Sequence, residues 1–160
     1  MSIISSIFVS ISLLMPVFIG IEGYTLPSGF ILKELCIIYP NDDWEQYLFQ
    51  SPIVDLTEAD ERTIRYASKN LNGLGYSDGY IAYSQIGNTL DPVKDDTIYT
   101  YSDIAVCTLQ KYLPTTVIIN IQDKGFLMPK KLPDSGCFRK HCQRYCAKAK
   151  AIEVKKFMGY

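Results

Sequence analysis

The chain has 160 residues, 48% hydrophobic and 21% charged, which excludes a disordered chain and leaves room for one domain but hardly for two. The formal net charge of −1 joins two unlike parts: 6 basic and 15 acidic residues up to Asp123 (−9), then 10 basic and 2 acidic from Lys124 onward (+8). The near-neutral total therefore does not exclude nucleic acid. The basic final segment asks for an anionic partner, or for pairing with the acidic body.

Residues 1–19 carry no charged side chain, and the first basic residue is Lys33. The run resembles the apolar core of a secretory signal. It lacks a basic start, has Phe18 and Ile19 rather than small residues before Gly20, and is interrupted by Pro16. Ser2, Ser5, Ser6, Ser10 and Ser12 dilute it as a membrane span, so a membrane partner is not expected. The expected organisation is an apolar extension or leader over residues 1–14 and one domain over 15–160. An intracellular site is favoured over secretion.

Pro16–Ile21 is expected to form a buried strand. A turn at Pro27-Ser28-Gly29 leads into a second apolar run, Phe30–Tyr39, stopped by Pro40-Asn41-Asp42-Asp43, so the two make a hairpin. A short third strand is expected at Gln46–Gln50. Thr57 and Asp60 have capping-box spacing before a helix over Glu58–Leu71, with Ile64, Ala67 and Leu71 on one face. A shorter helix, Ala82–Leu90, ends at Asp91-Pro92. Ile98–Tyr101 reads as a strand, and Ser102 or Asp103 caps a helix running to Leu113. The β-branched run Val117–Ile121 is another buried strand. After a loop containing Pro129, Pro133 and Gly136, a last helix aligns Ala147, Ala151, Val154 and Met158.

This order, β-β-β-α-α-β-α-β-α, predicts an α/β domain: a mixed sheet made of a three-strand meander plus β/α crossovers, flanked by helices. No Gly-x-Gly-x-x-Gly follows a strand, which excludes a doubly wound dinucleotide fold.

The order resembles the ribonuclease-H-like fold, and in particular the 3′–5′ exonucleases of the DEDD type. Those enzymes carry Asp-x-Glu on the first strand; here Gly20-Ile21-Glu22 keeps the glutamate and has glycine for the aspartate. Asp103, after IYTYS, stands where a second aspartate is expected. The last motif, His, four residues, then Asp-Ala, is matched by His141 and Cys146-Ala147, with cysteine for aspartate. Glu-Gly-Tyr, Lys-Glu-Leu and Cys…His…Cys-Ala together look similar to exonuclease-like proteins of insects and their viruses. The resemblance covers residues 15–160 and implies Glu22, Asp103 and His141 as catalytic residues. Glu22 and Asp103 would be ligands of Mg²⁺ or Mn²⁺ in two-metal phosphodiester hydrolysis.

Glycine is no ligand and cysteine a poor one for Mg²⁺, so weak or absent hydrolysis is expected unless another acid, such as Glu34 or Asp123, reaches the site. The leading expectation is a degenerate exonuclease-like domain that binds nucleic acid or a protein partner. An active nuclease with a rearranged metal site, and a secreted, disulfide-bearing interaction protein, are the alternatives. Lys130, Lys131, Arg139, Lys140, Arg144 and Lys148 are candidates for phosphate contact, with a solvated helix face as the plainer reading. Lys150, Lys155 and Lys156 continue the series.

Five cysteines cannot all pair internally. Cys36 and Cys107 lie in apolar runs, where a free thiol packs as a small hydrophobe. Cys137, His141, Cys142 and Cys146 have soft-ligand character for zinc. Ten consecutive residues on one helix rarely close a tetrahedron, however, so zinc is not expected there. Trp44 is expected to pack at a loop edge.

Overall fold

The computed structural model describes residues 15–137 and 145–160. A five-stranded sheet runs through the domain in the order β3-β2-β1-β4-β5. Its strands are β1 (Pro16–Leu26), β2 (Gly29–Ile38), β3 (Trp44–Leu48), β4 (Thr97–Thr100) and β5 (Ile118–Asn120). β2 is antiparallel to both β1 and β3, whereas β1, β4 and β5 are mutually parallel along the sheet. The sheet is therefore mixed, as the element order implies, and the domain is α/β.

Helix α1 (Glu58–Asn70) starts at the expected capping box: Thr57 Oγ1 accepts from the Asp60 N–H, and Asp60 accepts from the Thr57 N–H. The expected Ala82–Leu90 helix is instead a 3-10 turn at Tyr83–Gln85 joined to a short α2 (Ile86–Leu90). Ser102 caps α3 (Asp103–Tyr112), its hydroxyl accepting from the Ala105 N–H. The last helix, α4 (Ala147–Phe157), has Cys146 at its N-cap.

Alternation along β1 assigns its two faces. Val17, Ile19 and Ile21 join Leu35, Ile37, Ile86, Leu90, Ala105 and Leu109 in the core on one side. Phe18 joins Cys36, Ile38, Ile121, Ala147, Ala151 and Val154 on the other, so α4 covers that face. A bulge between Glu22 and Gly23 leaves Lys33 without a partner on β1 and turns it away. The Lys33 ammonium is fully buried and is satisfied by Ser51 Oγ at 3.0 Å and the carbonyls of Tyr76 and Asp78 at 3.1 and 2.5 Å.

Several boundaries move. β1 runs five residues past Ile21 because its hairpin with β2 is paired down to the Leu26–Gly29 turn. β3 begins at Trp44, not Gln46, since Trp44 pairs with Ile38 at the end of the ladder. Asn120 ends β5 by accepting from the Gln122 N–H, which starts a 3-10 turn at Ile121. Cys107 is exposed on α3 rather than packed as a small hydrophobe; its helix buries Ala105, Thr108 and Leu109 instead. Among the described residues, no helix is long and apolar enough to cross a membrane.

Candidate functional site

The C-terminal half of β1 and the turn that follows β4 open on a cavity of about 190 Å³ whose walls include Glu22, Tyr101, Ser102, Ile104 and Lys150. Parallel strands commonly present their sites at this end. Glu22 is buried, and its Oε2 accepts from the Lys150 ammonium at 2.5 Å. Burial alone would lower the affinity of Lys150 for its proton. The neighbouring Glu22 carboxylate, helped by Tyr101, outweighs burial and holds the ammonium above the ordinary lysine range. A lysine cation thus occupies the carboxylate that the sequence suggested as a metal ligand.

Gly20, two residues earlier on the same face of β1, lies directly beneath α4. A Cβ placed on Gly20 would sit 2.0 Å from the Ala147 carbonyl oxygen and 2.8 Å from the Ala151 nitrogen. No aspartate side chain has room there, because glycine is what lets the helix backbone touch the strand. Asp103 opens α3 in an exposed position, and its Oδ1 accepts from Asn120 Nδ2 at 3.1 Å. Ser102 and Ile104 on either side of it line the cavity, whereas Asp103 is not part of the wall. Ser102 holds a positive φ of 91°, fixed by its N–H donating to Asn120 Oδ1.

Glu34 lies opposite Glu22 in the β1–β2 ladder and is fully buried. Its Oε1 accepts from the Ala147 N–H at 2.8 Å, so a carboxylate caps the positive end of α4. Asp123 is exposed in the 3-10 turn after β5. In this arrangement the residues do not fit a two-metal centre. Gly20 supplies no ligand and has no space for one, Glu22 is engaged by Lys150, and Asp103 faces Asn120. Among the described residues, no group of three or more His, Cys, Asp and Glu side chains could hold a metal ion.

The basic segment divides into parts. Lys130 and Lys131 are exposed in the loop before α4. Lys148 is largely buried, its ammonium 3.5 Å above the Trp44 ring and bordering a pocket beside α4, so it does not stand on an open helix face. Lys150 pairs with Glu22, and Lys155 with Asp42, so part of the positive charge is turned onto the acidic body. Arg139, Lys140, His141, Cys142 and Arg144 lie outside the described residues. The proposed role of His141, and the zinc reading that needs His141 and Cys142, lie there with them.

Cys36, Cys137 and Cys146 gather where α4 begins, and all three are free thiols. Cys137 Sγ accepts from Gln46 Nε2 at 3.1 Å, and Cys146 Sγ lies 3.4 Å from Ser135 Oγ. Burial pushes the Cys36 thiol far up, with Lys148 opposing. Burial also raises Cys146 to about 11, against the Ser135 hydroxyl and the Ala149 N–H. Both stay protonated at neutral pH and behave as core groups rather than nucleophiles.

Sequence reasoning missed the pairing of Lys150 with Glu22 and the stacking of Lys148 on Trp44. The available signal was the alternation Ala147-Lys148-Ala149-Lys150-Ala151 beneath a strand glycine: small residues on α4 permit close approach, which buries the lysines between them. No protein-family model, curated protein or solved structure matches this chain.

Proposed function

We propose that this chain is a degenerate ribonuclease-H-like domain of the exonuclease type, which binds nucleic acid instead of cleaving it. The strand order β3-β2-β1-β4-β5, with β2 antiparallel between its neighbours and β4 and β5 parallel to β1, supports the fold part of this reading. The observation that carries the functional part is the docking of α4. It sets the Lys150 ammonium on Glu22 and the Ala147 carbonyl on Gly20, where hydrolysis would need a divalent cation and a second carboxylate. An internal cation balances the charge of Glu22 but activates no water. The exposed Lys130 and Lys131, together with Lys124, offer the backbone contacts that sequence-independent binding requires.

The test is a hydrolysis assay on single-stranded DNA and RNA with Mg²⁺ or Mn²⁺, comparing the protein with Glu22→Ala. No turnover is expected from either. Turnover that Glu22→Ala abolishes would overturn the reading in favour of an active nuclease with a rearranged site. That second reading draws on Glu34, which faces Glu22 across the ladder, and requires α4 to release both carboxylates. Binding is tested by anisotropy of a labelled oligonucleotide at two salt concentrations. Affinity should fall steeply with salt, and no binding at low salt removes nucleic acid as the partner.

A further inference from the structure

We propose that the pocket between Trp44 and the basic side of α4 is a binding site for a phosphate monoester, with the Lys148 ammonium as its anchor. The pocket measures about 310 Å³ and is lined by Trp44, Lys148, Lys155, Lys156 and Asp42, among others. Lys148 is 7% exposed, and among the described residues no carboxylate lies within ion-pairing distance of it. A largely buried ammonium at a pocket wall, with no carboxylate beside it, favours an anion that enters the pocket. The Trp44 ring beneath it recovers part of that cost but brings no negative charge.

The surrounding charges favour a polyanion. Among the lining side chains, three lysines stand against one carboxylate, Asp42, which Lys155 already pairs with. Lys156 pairs with Glu153 at 3.6 Å, and both its exposure and that distance leave it able to turn to a ligand. A neighbouring cavity of about 800 Å³ shares Trp44 but is walled by Asp42, Asp43, Glu45 and Asp96, so it repels what the lysine side attracts. The pocket exceeds the size of a phosphate group alone. Trp44, which lines the pocket and is 43% exposed, is the aromatic group available there for contact with a base. A nucleotide, or the phosphorylated end of a strand, fits these requirements; the choice of nucleotide over free phosphate rests on the nucleic-acid reading above.

Trp44 is the sole tryptophan, so intrinsic fluorescence reports on the site directly. The full chain and Lys148→Met would be titrated with inorganic phosphate, with adenosine monophosphate, and with one oligonucleotide with and without a terminal phosphate. Calorimetry of the same titrations guards against a silent fluorophore. Saturable binding that weakens roughly tenfold or more in Lys148→Met is expected, the loss typical of a charge-assisted contact. Tighter binding of the nucleotide or phosphorylated oligonucleotide than of phosphate supports a nucleic-acid source. Lys148-dependent binding of inorganic phosphate alone supports the site and overturns that source. No phosphate-dependent signal, or equal binding by both proteins, overturns the site even where the oligonucleotide still binds elsewhere.

Discussion

Glu22 and Glu34 are cross-strand partners in the β1–β2 ladder, both buried, and α4 neutralises both. Like charges directly opposite on neighbouring strands repel. Here the Lys150 ammonium answers Glu22, and the N-terminal end of α4, through the Ala147 N–H, answers Glu34. The two buried carboxylates give the helix an electrostatic reason to dock. The same docking fills the space over Gly20, so the two contacts are coupled.

Lys150→Met should therefore cost about 3 kcal/mol, because it leaves a buried carboxylate uncompensated, while the double variant Glu22→Gln with Lys150→Met should recover most of that loss. Urea denaturation of the four proteins of the cycle gives the coupling. Additive single effects, with no recovery, would show that the pair contributes little and that α4 is held by its apolar contacts alone.

Gly20→Ala should be strongly destabilising, by roughly 3 kcal/mol or more, since the added methyl meets backbone rather than a movable side chain. Gly20→Asp, which restores the aspartate of the resembled motif, should destabilise further and bring no hydrolytic activity. The pair is checked by urea midpoint and by nuclease assay with Mn²⁺. A stable Gly20→Asp protein that gains turnover would mean that α4 yields its place readily.

Much of this fold was legible in the sequence because periodicity and punctuation carry it. The capping box at Thr57 and Asp60, the hairpin around Pro27-Ser28-Gly29 and the Ala147–Ala151–Val154 face were each readable locally. Glu22 and Asp103 were readable beside the first strand and after the fourth, but Glu22 falls inside β1 and Asp103 opens α3 rather than ending a strand. What a linear reading could not supply was which side chain meets which across the sheet. Lys150 is 128 positions from Glu22, and its role depends on how closely α4 approaches β1. Gly20 looked like a missing ligand, and it is also the contact that seats the helix. The bulge that buries Lys33 shows in the sequence only as the adjacent charges Lys33-Glu34 within an apolar segment, which do not say on their own that both are buried.

Asp60 provides a pH dependence. Burial acts to raise its pKa, but the Ser28 and Thr57 hydrogen bonds together hold it below the ordinary aspartate range. A carboxyl with a depressed folded-state pKa contributes stability that is complete above about pH 4 and is lost as pH falls through the lower, folded value. Asp60→Asn should lower stability at neutral pH and flatten the acid limb of the stability curve. Urea midpoints between pH 2 and pH 6 test this. An acid limb of unchanged slope in the variant would assign acid sensitivity to other carboxylates.

The position of β1 decides how much of the N-terminal apolar run the domain needs. Pro16, Val17 and Phe18 pair with Thr97, Ile98 and Tyr99, and these pairs are the β1–β4 junction that joins the meander to the parallel half of the sheet. Val17, Phe18 and Ile19 are fully buried, on alternating faces. Each is worth about 2 kcal/mol of burial, so losing all three removes an amount comparable with the whole stability of a small domain. A chain starting at Gly20 should therefore fail to unfold cooperatively, whereas one starting at Met15 should keep a single sharp transition. Circular dichroism during thermal unfolding of the two decides it. A cooperative transition in the shorter chain would mean that β4 and β5 hold to the domain through α4 rather than through β1, and that removal of a leader of about 20 residues is compatible with the fold.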